Sequence, residues 1–315
     1  GDVFGVTGDA SAIGAPALEN GWEELSPQPL RRAGMGTVAH SNKLYVIGGM
    51  TDAGPSAQTD IYDIADGSWE AGASRPTALA HVKAAVVDGG VLVPGGCDAG
   101  LDPQSDVHLY DPESDRWTEA APLPTPLCAY ALASYQGSVY LFGGWDGEAY
   151  RSLAYVYRPD EDIWEPVEQP DYARGFGGAA ALIDRIYYVG GYDRRRELAV
   201  CEVYSPEDDQ WETCGSMLQP RGGLGVVSIG GRLYAIGGGW ETPLGFNERY
   251  TPDTDEWGVL ETPVVGEWRN LSAATWETSI YAIGGWSGTD FLNRTYTLEA
   301  LPWRVFIPGT LNNNP

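Results

Sequence analysis

The side chains in this sequence best suited to chemistry have the types and spacing of a binding surface. Four aromatic residues follow Gly-Gly pairs and three arginines precede small-residue stretches; they are Trp145, Tyr192, Trp240 and Trp286, with Arg32, Arg174 and Arg221. Aromatic rings stack on sugars and peptides, and arginines hold carboxylates through paired hydrogen bonds. The pattern therefore predicts a face that recognises a glycan or an acidic peptide. The alternative is that these rings only cap the core.

A catalytic or metal centre has weaker support. The histidines fall in different parts of the chain, and no CxxC motif or Cys/His cluster is present, which argues against zinc. The segment DAGLDPQSD places three carboxylates in one loop, at Asp98, Asp102 and Asp106. Calcium prefers such oxygen ligands, although the spacing matches no defined calcium loop. We assign no catalytic residue, and calcium is the one cofactor that the sequence allows us to name.

The aromatic residues belong to a repeat. Gly-Gly pairs end apolar stretches such as LYVIGG at a spacing of 47 or 48 residues; they lie at 48–49, 95–96, 143–144, 190–191, 237–238 and 284–285. A tyrosine follows each pair, and a tryptophan follows each tyrosine by seven positions; these are Tyr62/Trp69, Tyr110/Trp117, Tyr157/Trp164, Tyr204/Trp211, Tyr250/Trp257 and Tyr296/Trp303. Acidic turns such as DPESDR separate each tyrosine from its tryptophan, as in tight hairpins. The period predicts six copies of one structural unit.

Each unit predicts four short strands: a Gly- and Ala-rich inner strand, the Gly-Gly strand, the Tyr strand and the Trp strand. One such sheet cannot bury both of its faces, whereas six sheets arranged radially can, with the aromatic rings between them. The Gly doublet, the fixed Tyr/Trp offset and the period resemble the kelch-repeat family over about residues 22–303. An arginine opening the inner strand is also typical of that family. Here it appears in three units, and the other three have Leu79, Leu127 and Trp268.

The resemblance implies an all-β fold, a six-bladed β-propeller of four-stranded antiparallel blades. We expect an N-terminal arm at 1–21, the propeller at 22–303 and a C-terminal tail at 304–315. Kelch propellers are mostly binding scaffolds, but some are enzymes, so the fold alone does not establish the function.

The tryptophans outnumber the expected sheets. Trp22 lacks a tyrosine seven positions earlier, yet its segment GWEELSPQPLRR resembles a further outer strand. Either this N-terminal copy completes the sixth sheet, or the copy around Trp303 does. The strand left over then pairs with another sheet edge, in the same chain or a neighbouring one, or stacks as a fifth strand on its own blade. The candidate assembly residues are Trp22, Trp303, Val305 and Phe306.

The four cysteines suggest two disulfides. If Tyr204 pairs with Trp211 across a hairpin, Cys201 lies opposite Cys214. Cys97 follows the second Gly pair and Cys128 begins the third inner strand, so these two could bridge neighbouring blades. An even cysteine count with feasible pairing favours an oxidising compartment, extracellular or at the cell surface. Four buried free thiols are the alternative.

The negative charge of the chain argues against some classes of partner. A net charge of −25 repels nucleic-acid phosphates and anionic membranes. No run of 18 apolar residues predicts a membrane span. No signal peptide is visible, and we interpret the start at Gly1 as consistent with a removed leader. Two sequons, NLS at Asn270 and NRT at Asn293, are candidate glycosylation sites if the protein is exported.

Three functions are compatible with these observations. The first is an exported, non-catalytic interaction or structural subunit, one that joins copies of itself into a polymer or surface layer through a terminal strand. The second is a module that binds glycans or acidic peptides through the aromatic and arginine face. The third is an enzyme similar to the kelch-type sialic acid mutarotases, although we identify no acid/base pair for it.

Overall fold

The structure, a computed structural model, describes residues 21–301. In this part of the chain six four-stranded antiparallel sheets surround one axis, which confirms the six-bladed β-propeller. The strands are β1 Trp22–Leu25, β2 Gly36–His40, β3 Lys43–Ile47, β4 Met50–Thr51, β5 Gly54–Pro55, β6 Thr59–Asp63, β7 Ser68–Gly72, β8 Ala85–Val87, β9 Gly90–Cys97, β10 Pro103–Asp111, β11 Arg116–Ala120, β12 Ala131–Tyr135, β13 Ser138–Phe142, β14 Ala154–Arg158, β15 Ile163–Pro166, β16 Gly178–Leu182, β17 Arg185–Val189, β18 Cys201–Ser205, β19 Gln210–Cys214, β20 Gly225–Ile229, β21 Arg232–Ile236, β22 Asn247–Thr251, β23 Glu256–Leu260, β24 Ser272–Trp276, β25 Ser279–Ile283 and β26 Thr295–Glu299. A short 3-10 helix, Pro252–Thr254, lies between β22 and β23.

The blades follow one another along the chain. From the axis outward, blades 1 to 6 are β2-β3-β6-β7, β8-β9-β10-β11, β12-β13-β14-β15, β16-β17-β18-β19, β20-β21-β22-β23 and β24-β25-β26-β1. The small hairpin β4-β5 lies apart from the blades. The innermost strands of neighbouring blades contact each other. Small residues are needed there because a Cβ atom on Gly178 would lie 2.4 Å from Cγ2 of Val226 in the next blade.

The tyrosine and tryptophan of each unit join blades together. Tyr204 lies opposite Trp211 in the β18-β19 hairpin, with ring centres 5.1 Å apart. The indole N–H of Trp211 donates to the carbonyl of Glu168 in the preceding blade at 2.7 Å. Asp209, in the turn between them, accepts hydrogen bonds from the Tyr204 hydroxyl and the Glu168 N–H. The same indole bond to the preceding blade is made by Trp69, Trp117, Trp164 and Trp257.

The N-terminal strand closes the ring. Strand β1 pairs with β26, placing Trp22 opposite Leu298. Trp22 is fully buried, and its indole N–H donates to the Glu261 carbonyl of blade 5 at 3.0 Å. Trp22 thus joins blade 6 to blade 5 by the same indole hydrogen bond that joins each other blade to the one before it.

The first of the two closures considered above is therefore the one observed. Naming Trp22 as an assembly residue was wrong, because its side chain is buried inside its own ring. The other candidate assembly residues, Trp303, Val305 and Phe306, lie outside the described residues.

Two disulfides connect the four cysteines. Cys201 and Cys214 are opposite one another in β18 and β19, with Cα atoms 5.1 Å apart. Cys97 and Cys128, 5.3 Å apart, join blade 2 to blade 3. The structure thus contains one disulfide within a blade and one between blades.

Candidate binding face

The loops after the second strands and the loops leading into the inner strands meet at one end of the propeller, here called the upper face. Isolated backbone bridges join the two sets of loops, including Cys128 to Trp145, Gly175 to Tyr192 and Arg269 to Trp286. In every blade but the fifth, the residue just after the Gly-Gly pair is thereby held beside the start of the inner strand. Because the six blades share one axis, these loops place side chains from widely separated repeats on one surface.

Five rings on the upper face form a continuous cluster, the aromatic patch: Trp145, Tyr150, Phe176, Tyr192 and Trp240. Tyr192 and Trp240 are stacked with ring centres 4.9 Å apart. Phe176 contacts Trp240 edge-on at 5.6 Å, and Tyr150 links Trp145 to Tyr192 at 5.2 and 5.9 Å. The rings remain partly accessible, and Trp240 is 38% exposed. Blades 3, 4 and 5 therefore present a continuous, partly exposed aromatic surface.

Arginines border this patch. The Arg269 guanidinium lies 4.4 Å from the ring centre of Trp240, and that of Arg194 lies 5.9 Å from Trp145. Both distances are within the range of cation–π attraction. Arg269 also pairs with Glu267 at 2.8 Å, while burial lowers its pKa. The arrangement joins apolar stacking surface to positive charge.

A buried carboxylate orients the loop that carries Trp240. Glu197 is 3% exposed and accepts backbone hydrogen bonds from Gly222 at 2.6 Å, Trp240 at 2.9 Å and Glu241 at 2.8 Å. These bonds tie the blade 5 loop to blade 4. Glu197, Tyr150 and Phe176 could not be identified from the sequence, because their roles depend on contacts between blades.

Trp286 lies apart from the aromatic patch. It packs against Phe291 in its own blade, with ring centres 4.7 Å apart, and its indole nitrogen is buried. In the described residues Trp286 makes no ring contact with any of the five rings of the aromatic patch. The structure therefore groups three of the four predicted aromatics and separates the fourth.

The three predicted arginines are not surface residues, and their assignment to a binding face was wrong. Arg32, Arg174 and Arg221 have no exposed side-chain surface. Each pairs with a buried carboxylate, namely Asp60, Glu202 and Glu248 respectively. The Arg221 Nε lies 3.0 Å from Glu248, and its other nitrogens donate to two backbone carbonyls. Because every donor group is directed inward, these arginines bind the blades together and are unavailable to a ligand.

Blade 2 makes a related contact with different residues. Arg75 donates to His108 Nδ1 at 3.3 Å and to the carbonyls of Val93 and Gly95. His108 occupies the position two residues before its tyrosine, where Glu202 and Glu248 stand in other blades. A polar residue at that position is the sequence signal that would have identified the buried pairs.

The axis of the propeller is a narrowing channel. Cavities of about 280, 60 and 20 Å³ succeed one another from the lower end towards the upper face. At the narrowest part, here called the neck, one residue per blade has left-handed backbone conformation; these are Gly34, His81, Ala129, Phe176, Gly223 and Asn270. Backbone hydrogen bonds link successive members, for example Phe176 N–H to the Ala129 carbonyl at 2.7 Å. The neck separates the channel from the aromatic patch.

The described structure gives no support to the proposed calcium loop. Asp98 accepts from the N–H groups of Gly100 and Asp102 and from the Gln104 amide, so its carboxylate closes the loop on itself. The structured part of the chain brings together no group of three or more His, Cys, Asp or Glu side chains suited to a metal. The calcium assignment, including Asp106, is therefore withdrawn.

The two sequons differ in their surroundings. Asn270 lines the neck and is partly accessible, and its glycosylation stays a prediction. Asn293 is partly accessible in the loop before β26 and remains a prediction. In the described residues no helix is long and apolar enough to span a membrane.

Comparisons with known proteins agree with this architecture. A family model described as Kelch motif matches residues 31–76, 78–124, 126–170, 173–218 and 220–262, well over half of the chain. Kelch-like protein 40 of Mus musculus is 28% identical over 75 residues, covering 24% of this chain and 12% of that protein. The chain thus spans about an eighth of that relative's length.

A solved structure titled Structure of YjhT superimposes with a TM-score of 0.75. The match covers 86% of this chain and 95% of that one at 15% identity, which shows a common fold alone. The sixth blade, which the family model does not match, is present in the structure.

Proposed function

From the premise that this chain belongs to the kelch family, we propose that it is an exported, non-catalytic protein-interaction module that binds through the aromatic patch. Kelch propellers are typically interaction modules, but the fold does not choose the surface. The observation that carries the proposal is the contiguous cluster of five partly exposed rings beside Arg194 and Arg269. Exposed patches of this kind mark interaction sites on soluble proteins. The two disulfides support an oxidising, extracellular location.

The proposed partner is an acidic segment of another protein. Tyrosine, tryptophan and arginine are the residues that contribute most at protein interfaces. Three consecutive arginines, Arg194, Arg195 and Arg196, are exposed in the loop after Tyr192. They supply positive charge beside the rings on a molecule whose net charge is −25. A carboxylate-bearing peptide satisfies both features through stacking and bidentate hydrogen bonds.

Binding to a peptide array tests this proposal. The array pairs peptides rich in Asp, Glu and one aromatic residue with matched peptides that carry Asn and Gln. The full chain should select the acidic members, and Trp240→Ala should weaken that binding at least tenfold. Tyr172→Ala is the matched control, since Tyr172 is exposed but outside the patch. Equal binding by Trp240→Ala and the unaltered protein, or no preference for acidic peptides, would contradict the proposal.

A glycan is the alternative ligand for the same face. Stacking on Tyr192 and Trp240 would serve a sugar, but the exposed arginines favour a negatively charged partner. A parallel glycan array therefore decides between the two ligand classes. Strong neutral-glycan binding without acidic-peptide binding would favour the glycan.

The third function, a mutarotase-like enzyme, would need arginines at the channel mouth, and the three candidate arginines are not accessible there. Arg32, Arg174 and Arg221 are enclosed in ion pairs, so they cannot meet a sugar. We expect no acceleration of anomer exchange when free sugars are followed by NMR with the full chain. Acceleration above the buffer rate would restore this hypothesis.

Self-assembly is a second candidate function, favoured by the closure of blade 6. Strand β1 occupies the edge of β26 at which a strand around Trp303 would otherwise pair. We therefore propose that residues 303–306 join the sheet edge of a second copy. Light scattering should show association of the full chain, with and without calcium, and a monomer after removal of 302–315. Removing 1–20 is the matched control and should leave association intact; a monomeric full chain would contradict assembly.

A further inference from the structure

Lys83 stands at a channel position where every other blade has glycine, alanine or serine. It lies two residues after the neck residue His81. The corresponding residues in the other blades are Gly36, Ala131, Gly178, Gly225 and Ser272. A long amine-bearing side chain therefore enters a channel that is otherwise lined there by the smallest side chains. It borders both the cavity of about 60 Å³ and the neck.

The surroundings of Lys83 are unusual for a lysine. The residues lining the three channel cavities include no aspartate or glutamate, in a chain with 44 acidic residues. The described structure gives Lys83 no ion pair. Its titratable neighbours on the channel wall are His81 and Tyr130, and Arg269 and Arg75 act electrostatically on those two. Among the described residues that line these cavities, none carries an anionic group that would hold a proton on the amine.

Burial consequently lowers the pKa of Lys83 to about 8. Roughly a tenth of the amine is then uncharged at pH 7, far more than for an ordinary lysine, and an uncharged amine is the nucleophilic form. Lys43, the other lysine of the chain, pairs with Glu70 at 2.7 Å on the surface, and that hydrogen bond raises its pKa. The chain thus contains its own reference lysine.

Access to Lys83 is from the lower end of the channel. The cavity of about 280 Å³ shares Thr37, Ala84 and Leu132 with the cavity that Lys83 borders. The neck of about 20 Å³, the volume of a single water, closes the other end. The described lining of the channel consists mainly of small side chains and serine and threonine hydroxyls, so a small uncharged molecule is the kind of ligand we expect to reach the amine.

We propose that the channel is a carbonyl-binding site in which Lys83 forms an imine with short-chain aldehydes. The Nζ lone pair attacks the carbonyl carbon, giving a carbinolamine. The two amine hydrogens then leave with the carbonyl oxygen as water, and a C=N bond replaces the C=O bond. His81 Nδ1, which is buried without a hydrogen-bond partner, and the Asn270 amide are placed at the neck to bind a hydroxyl of a hydroxyaldehyde.

Reductive trapping tests the site in the full chain. Glycolaldehyde with sodium cyanoborohydride at pH 7.5, followed by Asp-N peptide mapping, should label Lys83 at least ten times faster than Lys43. The Lys83 rate should rise with pH to about 8 and then level off, whereas the Lys43 rate continues to rise. Labelling of Lys83 no faster than that of Lys43 would overturn the proposal.

Two controls separate the channel from general reactivity. Pyridoxal phosphate, which is bulky and doubly charged, should label Lys43 but not Lys83. Labelling of both lysines would show that the channel does not select aldehydes by size or charge. Lys83→Met should remove the fast phase while Lys43→Arg leaves it unchanged. The size comparison uses unaltered protein, so the proposal stays testable even if Lys83→Met folds poorly. Neither result depends on the peptide binding proposed for the upper face.

Discussion

At the scale of single residues, buried ion pairs are the feature that the repeat pattern hides. Arg221 and Glu248 are both fully buried and satisfy each other. Removing one member of such a pair leaves the other charged and desolvated, which costs about 3–5 kcal/mol. Exposed pairs contribute little, because water screens them and their side chains lose entropy when ordered.

The first prediction compares a buried pair with an exposed one. Glu248→Gln should lower the free energy of unfolding by about 3–5 kcal/mol. Glu70→Gln, which removes the exposed partner of Lys43, should lower it by about 1 kcal/mol or less. Urea unfolding of both variants measures the difference. Equal losses would show that burial does not govern these pairs.

The second prediction concerns pH and Lys83. Its folded-state pKa of about 8 lies below its ordinary value of 10.5, so between these values the unfolded chain binds more protons. The unaltered protein should therefore gain stability relative to Lys83→Met as pH rises from 8 to 10.5. Over that range the difference in free energy of unfolding should shift by on the order of 1–3 kcal/mol in favour of the unaltered protein. Urea unfolding across pH 7 to 10.5 measures this, and a constant difference would contradict the low pKa.

At the scale of elements, each outer strand is held by an indole that reaches the preceding blade. The hairpins could be predicted because the tyrosine–tryptophan offset is local and recurs six times. The closing strand could not, because Trp22 and Trp303 lie in similar local sequence. The choice depends on which strand pairs with β26 and reaches Glu261, and both contacts are distant along the chain.

The same limit explains the misplaced arginines. Arg32, Arg174 and Arg221 stand near the loop end, as a surface arginine would. Their carboxylate partners lie 27 or 28 residues further along the chain. The pairing of strands across two hairpins brings each arginine next to its carboxylate. The sequence reveals the pair only when the arginine position and the carboxylate position are compared in every repeat.

The third prediction tests closure by β1. Trp22→Ala should cost about 3–5 kcal/mol of unfolding free energy, since it removes a fully buried ring and its bond to blade 5. Trp240→Ala, at an exposed ring, should cost about 1 kcal/mol or less. Thermal and urea unfolding give both values. A small effect at Trp22 would mean that another strand can close the ring.

The fourth prediction concerns the loop carrying Trp240. Glu197→Gln keeps the size of the side chain but weakens three charge-assisted hydrogen bonds from backbone N–H groups. Acidic-peptide affinity should fall several-fold, with a loss of order in the 239–244 loop seen by hydrogen exchange. Glu207→Gln, at an exposed carboxylate in the outer hairpin turn of blade 4, is the control. Unchanged exchange and affinity in Glu197→Gln would show that this carboxylate does not position the patch.

At the scale of the whole molecule, a nearly six-fold ring carries an asymmetric upper face. The backbone of the neck repeats in every blade, but its side chains range from none at Gly34 and Gly223 to a full ring at Phe176. The aromatic patch accordingly occupies the side of blades 3 to 5. A symmetric scaffold thus presents one directional surface, as a module that recognises a single peptide segment requires.

Hydrogen exchange of the full chain with and without an acidic peptide selected from the array tests the central claim most directly. The account predicts peptide-dependent protection in the loops around Tyr192 and Trp240. It predicts none in the outer hairpin turns, such as those between Tyr110 and Trp117 or Tyr157 and Trp164. Protection of those turns, with the upper-face loops unchanged, would contradict the assignment of the aromatic patch as the binding surface.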